Sequence, residues 1–523
     1  MSDILLTTLN ARYIHAAFGL RYLMANLGEL QPRAAIVEFD INQRPLEIVE
    51  AILGRNPRIV GFGVYIWNVA LTAEVVAVLK RLRPGLIVIL GGPEVSHETE
   101  GQPIVRLADY VILGEADLKF AEVCRALLGA GGQDAASLPK ILPAELPLME
   151  SLKLPYEFYS DEDLAHRVLY VEASRGCPFT CEFCLSSLDV PVRAVALEPF
   201  LAALQRLLDR GALQFKFVDR TFNLNLNTSR AILEFFLERW REGMFVHFEM
   251  VPDRLPEQIR EIIAKFPPGA LQFEVGIQTF DEATSRNISR RQNVPRLEEN
   301  LRFLREQTGV HIHADLIAGL PGESLESFAR GFDRLVALRP QEIQVGILKR
   351  LRGTPIVRHD AEWEMVYSPS PPYEILRNKS LDFGVLQRLR RFARVWDLVA
   401  NSGRFRETLP LLWTAGEVSP FHAFLAFTDW LAAKLGRLHS VALVVLAENL
   451  FLYLTTQLHL PRERAVEAMD RDWRDGVRRE RLAFLDAPNG PGSAVRPAQP
   501  ASKGPKRQAR HTVPLAERQG PGA

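Results

Sequence analysis

Over residues 1–130, short apolar runs without two-residue alternation trade places with stretches whose apolar positions recur every three or four residues. The runs at 3–8, 35–40, 58–64, 86–90 and 110–113 predict strands, and those at 17–30, 45–53, 69–82 and 118–128 predict amphipathic helices. Strands apolar on both faces and separated by helices predict a parallel sheet covered on both sides. Ligands of such sheets gather beyond the carboxyl ends of the strands. The loops there carry Tyr65-Ile66-Trp67-Asn68, Gly91-Gly92-Pro93-Glu94 and Gly114-Glu115. No GxGxxG follows the first strand, which speaks against a dinucleotide site. Glycines at several strand ends fit a broad, flat ligand.

A polar stretch bearing Gly and Pro follows, and at residue 168 a second series begins. Its strands are predicted at 168–172, 214–218, 245–249, 271–277, 311–317 and 342–348, each after a helical stretch except the first. Six strands in this order are compatible with an incomplete parallel barrel, whose functional groups gather at the carboxyl ends of the strands. Beyond residue 367 the pattern is helical, at 381–402, 421–435, 441–458 and 462–482. The division expected is 1–135, a linker at 136–166, 167–365, a helical domain at 366–485 and a tail at 486–523. That tail is rich in Pro, Gly, Ser, Ala and Gln and is expected to lack order, because it has little apolar surface to bury.

The chain has 523 residues, 63 basic and 63 acidic, so no net field argues for nucleic acid or an anionic membrane. The start, Met1-Ser2-Asp3-Ile4-Leu5-Leu6, lacks the basic region of a signal peptide. The most membrane-like stretch, 441–458, includes Glu448, Asn449 and Gln457 and reads as a buried helix. Arg388, Arg390, Arg391 and Arg394 make a basic helix face that reads as solvated.

Only four cysteines occur, and Cys177, Cys181 and Cys184 fall within eight residues in Ser174-Arg175-Gly176-Cys177-Pro178-Phe179-Thr180-Cys181-Glu182-Phe183-Cys184. So few exclude a disulfide framework and fit a reducing compartment. Thiolates hold iron–sulfur clusters, normally by four ligands. Three in one loop hold three irons of a cubane and leave the fourth open to a chelating molecule. A zinc site wants a fourth Cys or His at ligand spacing, and none follows nearby. A closed structural cluster wants a fourth cysteine, and Cys124 lies in the front region.

The CxxxCxxC triplet resembles the signature of the radical S-adenosylmethionine superfamily. Further stretches resemble its cobalamin-dependent subgroup: Phe217-Val218-Asp219-Arg220, Glu274-Val275-Gly276-Ile277-Gln278-Thr279, Asp315-Leu316-Ile317-Ala318-Gly319-Leu320-Pro321-Gly322-Glu323 and Leu348-Lys349-Arg350-Leu351-Arg352-Gly353-Thr354-Pro355. The resemblance implies an α/β chain with a Rossmann-like cobalamin-binding domain, a partial (β/α)6 radical barrel and a helical C-terminal domain. It implies a 4Fe-4S cluster on Cys177, Cys181 and Cys184, with Phe183 near the adenine of S-adenosylmethionine. Asp219, Glu274, Gln278 and Asp315, at or near strand ends, have groups that can hydrogen-bond a ribose or the methionine amine. Arg290 is the expected partner of the methionine carboxylate.

The front domain resembles the cobalamin domains of the subgroup, with Tyr65, Gly91, Gly92 and Gly114 as expected contacts. The Asp-x-His-x-x-Gly motif that carries a cobalt-ligating His is absent after the first strand, so His15 is expected to be an ordinary loop histidine. Methyl transfer to an unactivated carbon of a small molecule is the reaction implied, with radical cyclisation or ring rearrangement as the alternative. A methylthiotransferase would need three more front-domain cysteines, and a cluster or cobalamin sensor would bind without cleaving S-adenosylmethionine. The expected partners are a small-molecule substrate and an electron donor such as flavodoxin or ferredoxin, with no nucleic acid and no membrane, in the cytoplasm.

Overall fold

The strand β1 (Ile4–Asn10) is buried at all seven positions, as a central strand covered on both faces must be. The computed structural model describes residues 2–129, 138–414, 416, 418–474, 482 and 505–511. Two compact units divide the chain: residues 1–222 with 349–358 and 367–374, and residues 223–348 with 359–366 and 375–523.

In the first unit, β1 is followed by α1 (Phe18–Ala25), β2 (Ala34–Asp40), α2 (Pro45–Leu53), β3 (Ile59–Gly63), α3 (Val69–Leu82), β4 (Ile87–Gly91), α4 (Pro103–Leu107), β5 (Tyr110–Leu113), α5 (Lys119–Leu128) and β6 (Ile141–Pro143). The six strands form one parallel sheet in the order β2-β1-β3-β4-β5-β6. Alternation along each strand feeds two cores. Val60, Phe62 and Val88 pack with Val75 and Leu79 of α3, while Ile59, Ile89 and Ile112 pack with Leu20 of α1 and Phe120 of α5. Within 136–166, expected as a linker with a few ordered pieces, β6 extends this sheet, and Ser160 and Asp163 cap α6 (Asp161–His166) reciprocally.

The unit continues through β7 (Leu169–Val171), β8 (Ser174–Arg175), β9 (Arg193–Ala194), α7 (Leu197–Asp209) and β10 (Gln214–Phe217). β10 pairs in parallel with β7. β8 and β9 form an antiparallel ribbon around the cysteine loop, with Arg175 opposite Arg193.

The second unit begins with α8 (Leu226–Glu238), β11 (Phe245–Met250), α9 (Glu257–Ile263), β12 (Leu271–Gln278), α10 (Glu282–Asn287), α11 (Val294–Gln307), β13 (His311–Ala318), α12 (Leu325–Ala337) and β14 (Glu342–Ile347). β11, β12, β13 and β14 are parallel neighbours in sequence order. The helices α13 (Phe383–Val399), α14 (Leu411–Thr414), α15 (Pro420–Leu435), α16 (Leu443–Thr456) and α17 (Arg462–Arg474) follow. This extension shares a core with the sheet-covering helices: Phe332 of α12 packs edge-on against Phe392 and Trp396 of α13, at centroid distances of 5.0 and 4.8 Å. Among the described residues no helix is long and apolar enough to cross a membrane.

The expectation that 486–523 lacks order is corrected for residues 505–511, where Lys506–His511 form α18. Its Arg507 reaches Glu342 at 2.8 Å and Asp397 at 2.6 Å, and His511 packs edge-on to His311. These short-range charge contacts substitute for the apolar surface the segment lacks. Apart from residues 505–511, that stretch lies outside the described residues.

Candidate cluster and cofactor site

The cysteine loop springs from the β8–β9 ribbon through Gly176, whose φ of +90° only glycine adopts readily. A Cβ there would stand 2.7 Å from the Asp189 carbonyl oxygen. That carbonyl accepts from the Cys177 N–H at 3.1 Å, and the Cys184 N–H closes a turn onto the Cys181 carbonyl at 3.1 Å. Cys177 and Cys181 are buried, while Phe183 and Cys184 are half-buried. The Cys177 Sγ lies 3.9 Å from the Thr221 hydroxyl. Burial pushes the Cys177 thiol up, and the charges of Cys184 and Cys181 push it further. Such neighbouring thiols become thiolates together when a metal centre supplies the compensating charge. Among the described residues no three of His, Cys, Asp and Glu are placed to hold one metal ion. Thiolates that each take a different iron of a cubane need not converge on one point as zinc ligands do. Cys124 is buried in α5 within the core under the front sheet, and burial pushes its thiol up to about 12.

Asp219, just past β10, braces the approach to this loop. It accepts from the Ala173 N–H at 2.9 Å and from the Ser174 hydroxyl at 2.7 Å, so both its oxygens are engaged within the protein. It is 2% exposed, and burial pushes its carboxyl up to about 7 against those two hydrogen bonds.

Sequence reasoning missed the charged hub beside the loop. The Arg175 guanidinium donates to Glu172 at 2.7 Å, to Glu115 at 2.7 Å and to Asp117 at 2.9 and 3.1 Å. It also lies 4.4 Å from the Tyr22 ring centroid. In the sequence Arg175 directly precedes Gly176-Cys177 and Glu115 sits in a strand-end loop already singled out, but no local pattern joins the two.

A cavity of about 270 Å³ opens on the α1–α5 side of the front sheet. Its floor is made by Gly61, Ile89 and Ile112 on the strands, and its wall by Phe120, where a Cβ at Gly61 would come within 2.8 Å of the ring. Gly63, Tyr65, Gly91, Gly92 and Gly114 form the rim at the carboxyl ends, joining the expected contacts in one place. Gly92 has φ of +106°, and a Cβ there would meet the Val64 carbonyl oxygen at 2.6 Å. Tyr65 stacks on Trp67 at 4.5 Å with an interplanar angle of 6°. Trp67, Tyr13, Ile14 and Leu118, on loops at the carboxyl ends of β1, β3 and β5, are each more than 40% exposed. His15 Nδ1 meets the Tyr170 hydroxyl at 2.6 Å, and burial lowers the His15 pKa.

In the second unit, Glu274, Gln278, Arg290 and Asp315 gather around β12 and β13. Glu274 lies 3.0 Å from His247 Nε2, and Asp315 lies 3.3 Å from His313 Nε2. Arg290 donates to the Gly276 carbonyl oxygen. Gln278 sits at a β-bulge with φ of +71°, its buried amide oxygen without a hydrogen-bond partner. A ligand ammonium or hydroxyl would complete that acceptor. Burial alone would lower the His313 pKa, but hydrogen bonds to Asp315 and Glu342 raise it to about 10.

Three family models match the chain: the B12 binding domain over residues 4–124, the radical SAM superfamily over 171–335, and a protein of unknown function, DUF4080, over 361–480. An uncharacterised methyltransferase of Pyrococcus horikoshii is 25% identical over 54% of this chain and 64% of its own length. A ribosomal protein uS12 methylthiotransferase of Heliobacterium modesticaldum is 26% identical over 50% of this chain and 63% of its own. This chain thus spans less than two thirds of either relative. The fold is similar to that of the radical S-adenosylmethionine methyltransferase TsrM from Kitasatospora setae, solved with cobalamin and a 4Fe-4S cluster bound. That likeness has a TM-score of 0.55 and 17% identity, over 69% of this chain and 75% of the other. The glycine-rimmed cavity fits a B12-binding domain and the three-thiolate loop fits a radical SAM domain, whose cofactors are cobalamin and a 4Fe-4S cluster with S-adenosylmethionine. The chain therefore carries a B12 binding domain followed by a radical SAM domain, with a C-terminal region that matches DUF4080.

Proposed function

We propose that this protein is a radical enzyme that transfers a methyl group to an unactivated carbon of a small-molecule substrate. The observation that carries the reading is the presence, in one compact unit, of a three-thiolate loop and a glycine-rimmed cavity lined by Tyr65, on which the exposed Trp67 stacks. Bound to these residues, the cofactors supply a one-electron cut of S-adenosylmethionine and a methyl carrier. Cys177, Cys181 and Cys184 hold three irons, and Phe183 flanks the adenine. Within the second unit, Gln278 would offer its unpartnered amide oxygen to a ligand hydroxyl or ammonium, and Arg290 would take a carboxylate. Asp219, with both oxygens engaged at Ala173 and Ser174, shapes the loop.

The cavity is too small for a corrin ring but admits its slender nucleotide arm. Gly91, Gly92 and Gly114 let the ligand approach the backbone, and Tyr65 with Trp67 supports the macrocycle. A flavodoxin- or ferredoxin-type donor and a cytoplasmic location go with this chemistry.

The names of the P. horikoshii relative and of TsrM favour methyl transfer, while the H. modesticaldum relative is named a methylthiotransferase. Buried Cys124 gives the front domain a single thiol toward the second cluster that a methylthiotransferase needs. The test is anaerobic reconstitution with iron, sulfide and hydroxocobalamin, then dithionite and S-adenosylmethionine, with chromatography of the products. Methyl transfer predicts both 5′-deoxyadenosine and S-adenosylhomocysteine, and about four irons per chain. 5′-Deoxyadenosine alone would point to cyclisation or rearrangement. Neither product from an intact cluster would make the protein a sensor.

A further inference from the structure

The side chain of Arg175 belongs to the front cavity, while its backbone opens the cysteine loop. Tyr22, Glu115, Asp117, Glu172 and Arg175 all line the cavity, and Arg175 stands two residues before Cys177. Its guanidinium is the shared donor of three carboxylates, Glu172, Glu115 and Asp117, each at 2.7–2.9 Å. The opposite strand of the ribbon repeats the connection. Arg193 pairs with Glu115 and, at 3.1 Å, with Asp189, whose carbonyl accepts the Cys177 N–H. Both arginine side chains are 13% exposed, so these are desolvated, directional contacts.

We propose that Arg175 is a positioning residue that couples occupancy of the front cavity to the geometry of the cysteine loop. A ligand against Tyr22, Asp117 and Glu172 fixes the guanidinium, and the guanidinium fixes the first residue of the ribbon from which the three thiolates hang. A planar fork with five N–H donors serves three carboxylates together in a fixed geometry, which the compact, freely rotating ammonium of a lysine does not impose. Such coupling is reciprocal, so an assembled cluster tightens ligand binding in the cavity by the same factor. The proposal rests on the cofactor assignments above.

Hydroxocobalamin is titrated anaerobically into the reconstituted full chain and into its Cys177→Ala/Cys181→Ala/Cys184→Ala variant. Wild-type affinity is expected to be about tenfold tighter with the cluster than without it. In Arg175→Gln, compared in the same two backgrounds, that ratio is expected to fall to about one, with iron content and far-ultraviolet circular dichroism retained. The electron paramagnetic resonance signal of the reduced cluster is expected to shift on adding hydroxocobalamin in wild type and to stay fixed in Arg175→Gln. Asp117→Asn weakens one arm of the hub and is expected to give an intermediate ratio, which decides the question should Arg175→Gln not fold. A ratio of one in wild type, or an undiminished ratio in the variant that folds, overturns the coupling alone. No binding of hydroxocobalamin to wild type overturns the cobalamin assignment, and the coupling with it.

Discussion

Replacing Asp219 by alanine removes the acceptor of two donors at the approach to the cysteine loop, whereas asparagine keeps the shape and loses the charge. In Asp219→Ala the buried Ala173 N–H has no partner, a cost of about 1–3 kcal/mol, while the Ser174 hydroxyl, being half-buried, finds water. In Asp219→Asn the amide oxygen takes the N–H and the serine hydroxyl reverses to accept from the amide nitrogen, so both contacts survive. Charge acts separately. Burial raises the folded-state pKa from 3.8 to about 7, so between these values the unfolded carboxylate ionises while the folded one keeps its proton. Stability therefore falls as pH rises through that window, by about 4 kcal/mol in all, and is flat above it. Asparagine mimics the protonated form throughout. Urea unfolding of the full chain under anaerobic conditions at pH 5 and pH 8 separates the two effects. Asp219→Asn is expected to exceed wild type by about 1.6 kcal/mol at pH 5 and by about 4 kcal/mol at pH 8. Asp219→Ala is expected to lie about 2 kcal/mol below Asp219→Asn at both pH values and to retain less iron. Equal stability of the two variants, or Asp219→Asn below wild type at pH 8, would refute this account of the brace.

Gly92→Ala forces an L-residue to φ of +106° with its Cβ 2.6 Å from a backbone oxygen. It is expected to cost about 1–3 kcal/mol and to weaken hydroxocobalamin binding more than tenfold in spectroscopic titration. Cys124→Ser places a hydroxyl in the core under the sheet, with an expected loss of about 1–3 kcal/mol in urea unfolding and no change in iron content per chain. His313 has its folded pKa raised to about 10 by Asp315 and Glu342, so its contribution is complete below the unfolded value of 6.5 and is lost as pH rises toward 10. His313→Gln is expected to flatten that alkaline limb in melting temperatures measured from pH 6 to 10.

The strands were readable from their apolar positions. β3 to β5 and β10 to β14 fall within one or two residues of the predicted runs: β3 to β5 are near-continuous apolar segments, and β10 to β14 set buried Phe, Val, Ile and Leu among polar residues. β6 escaped because Ile141-Leu142-Pro143 is three residues long, and its strand character comes from pairing with β5. α18 escaped because Arg507 and His511, not an apolar stripe, hold it down. Within the site, the thiolate loop was legible because Gly176 and the cysteines are contiguous. The Arg175 hub was not, since Glu115 and Asp117 lie about sixty residues away and only the fold brings them to it. Asp219 was read as a ligand group from its strand-end position. Its two internal donors depend on how the chain turns between β7 and β8, a turn no periodicity encodes.

The proposed chemistry requires an iron left open by three thiolates. Electron paramagnetic resonance of the anaerobically reconstituted, dithionite-reduced chain, before and after S-adenosylmethionine, addresses that iron directly. A 4Fe-4S signal whose g-values move on addition is expected, with loss of the signal in Cys181→Ala. A spectrum indifferent to S-adenosylmethionine, or stoichiometric zinc in place of iron, would contradict it.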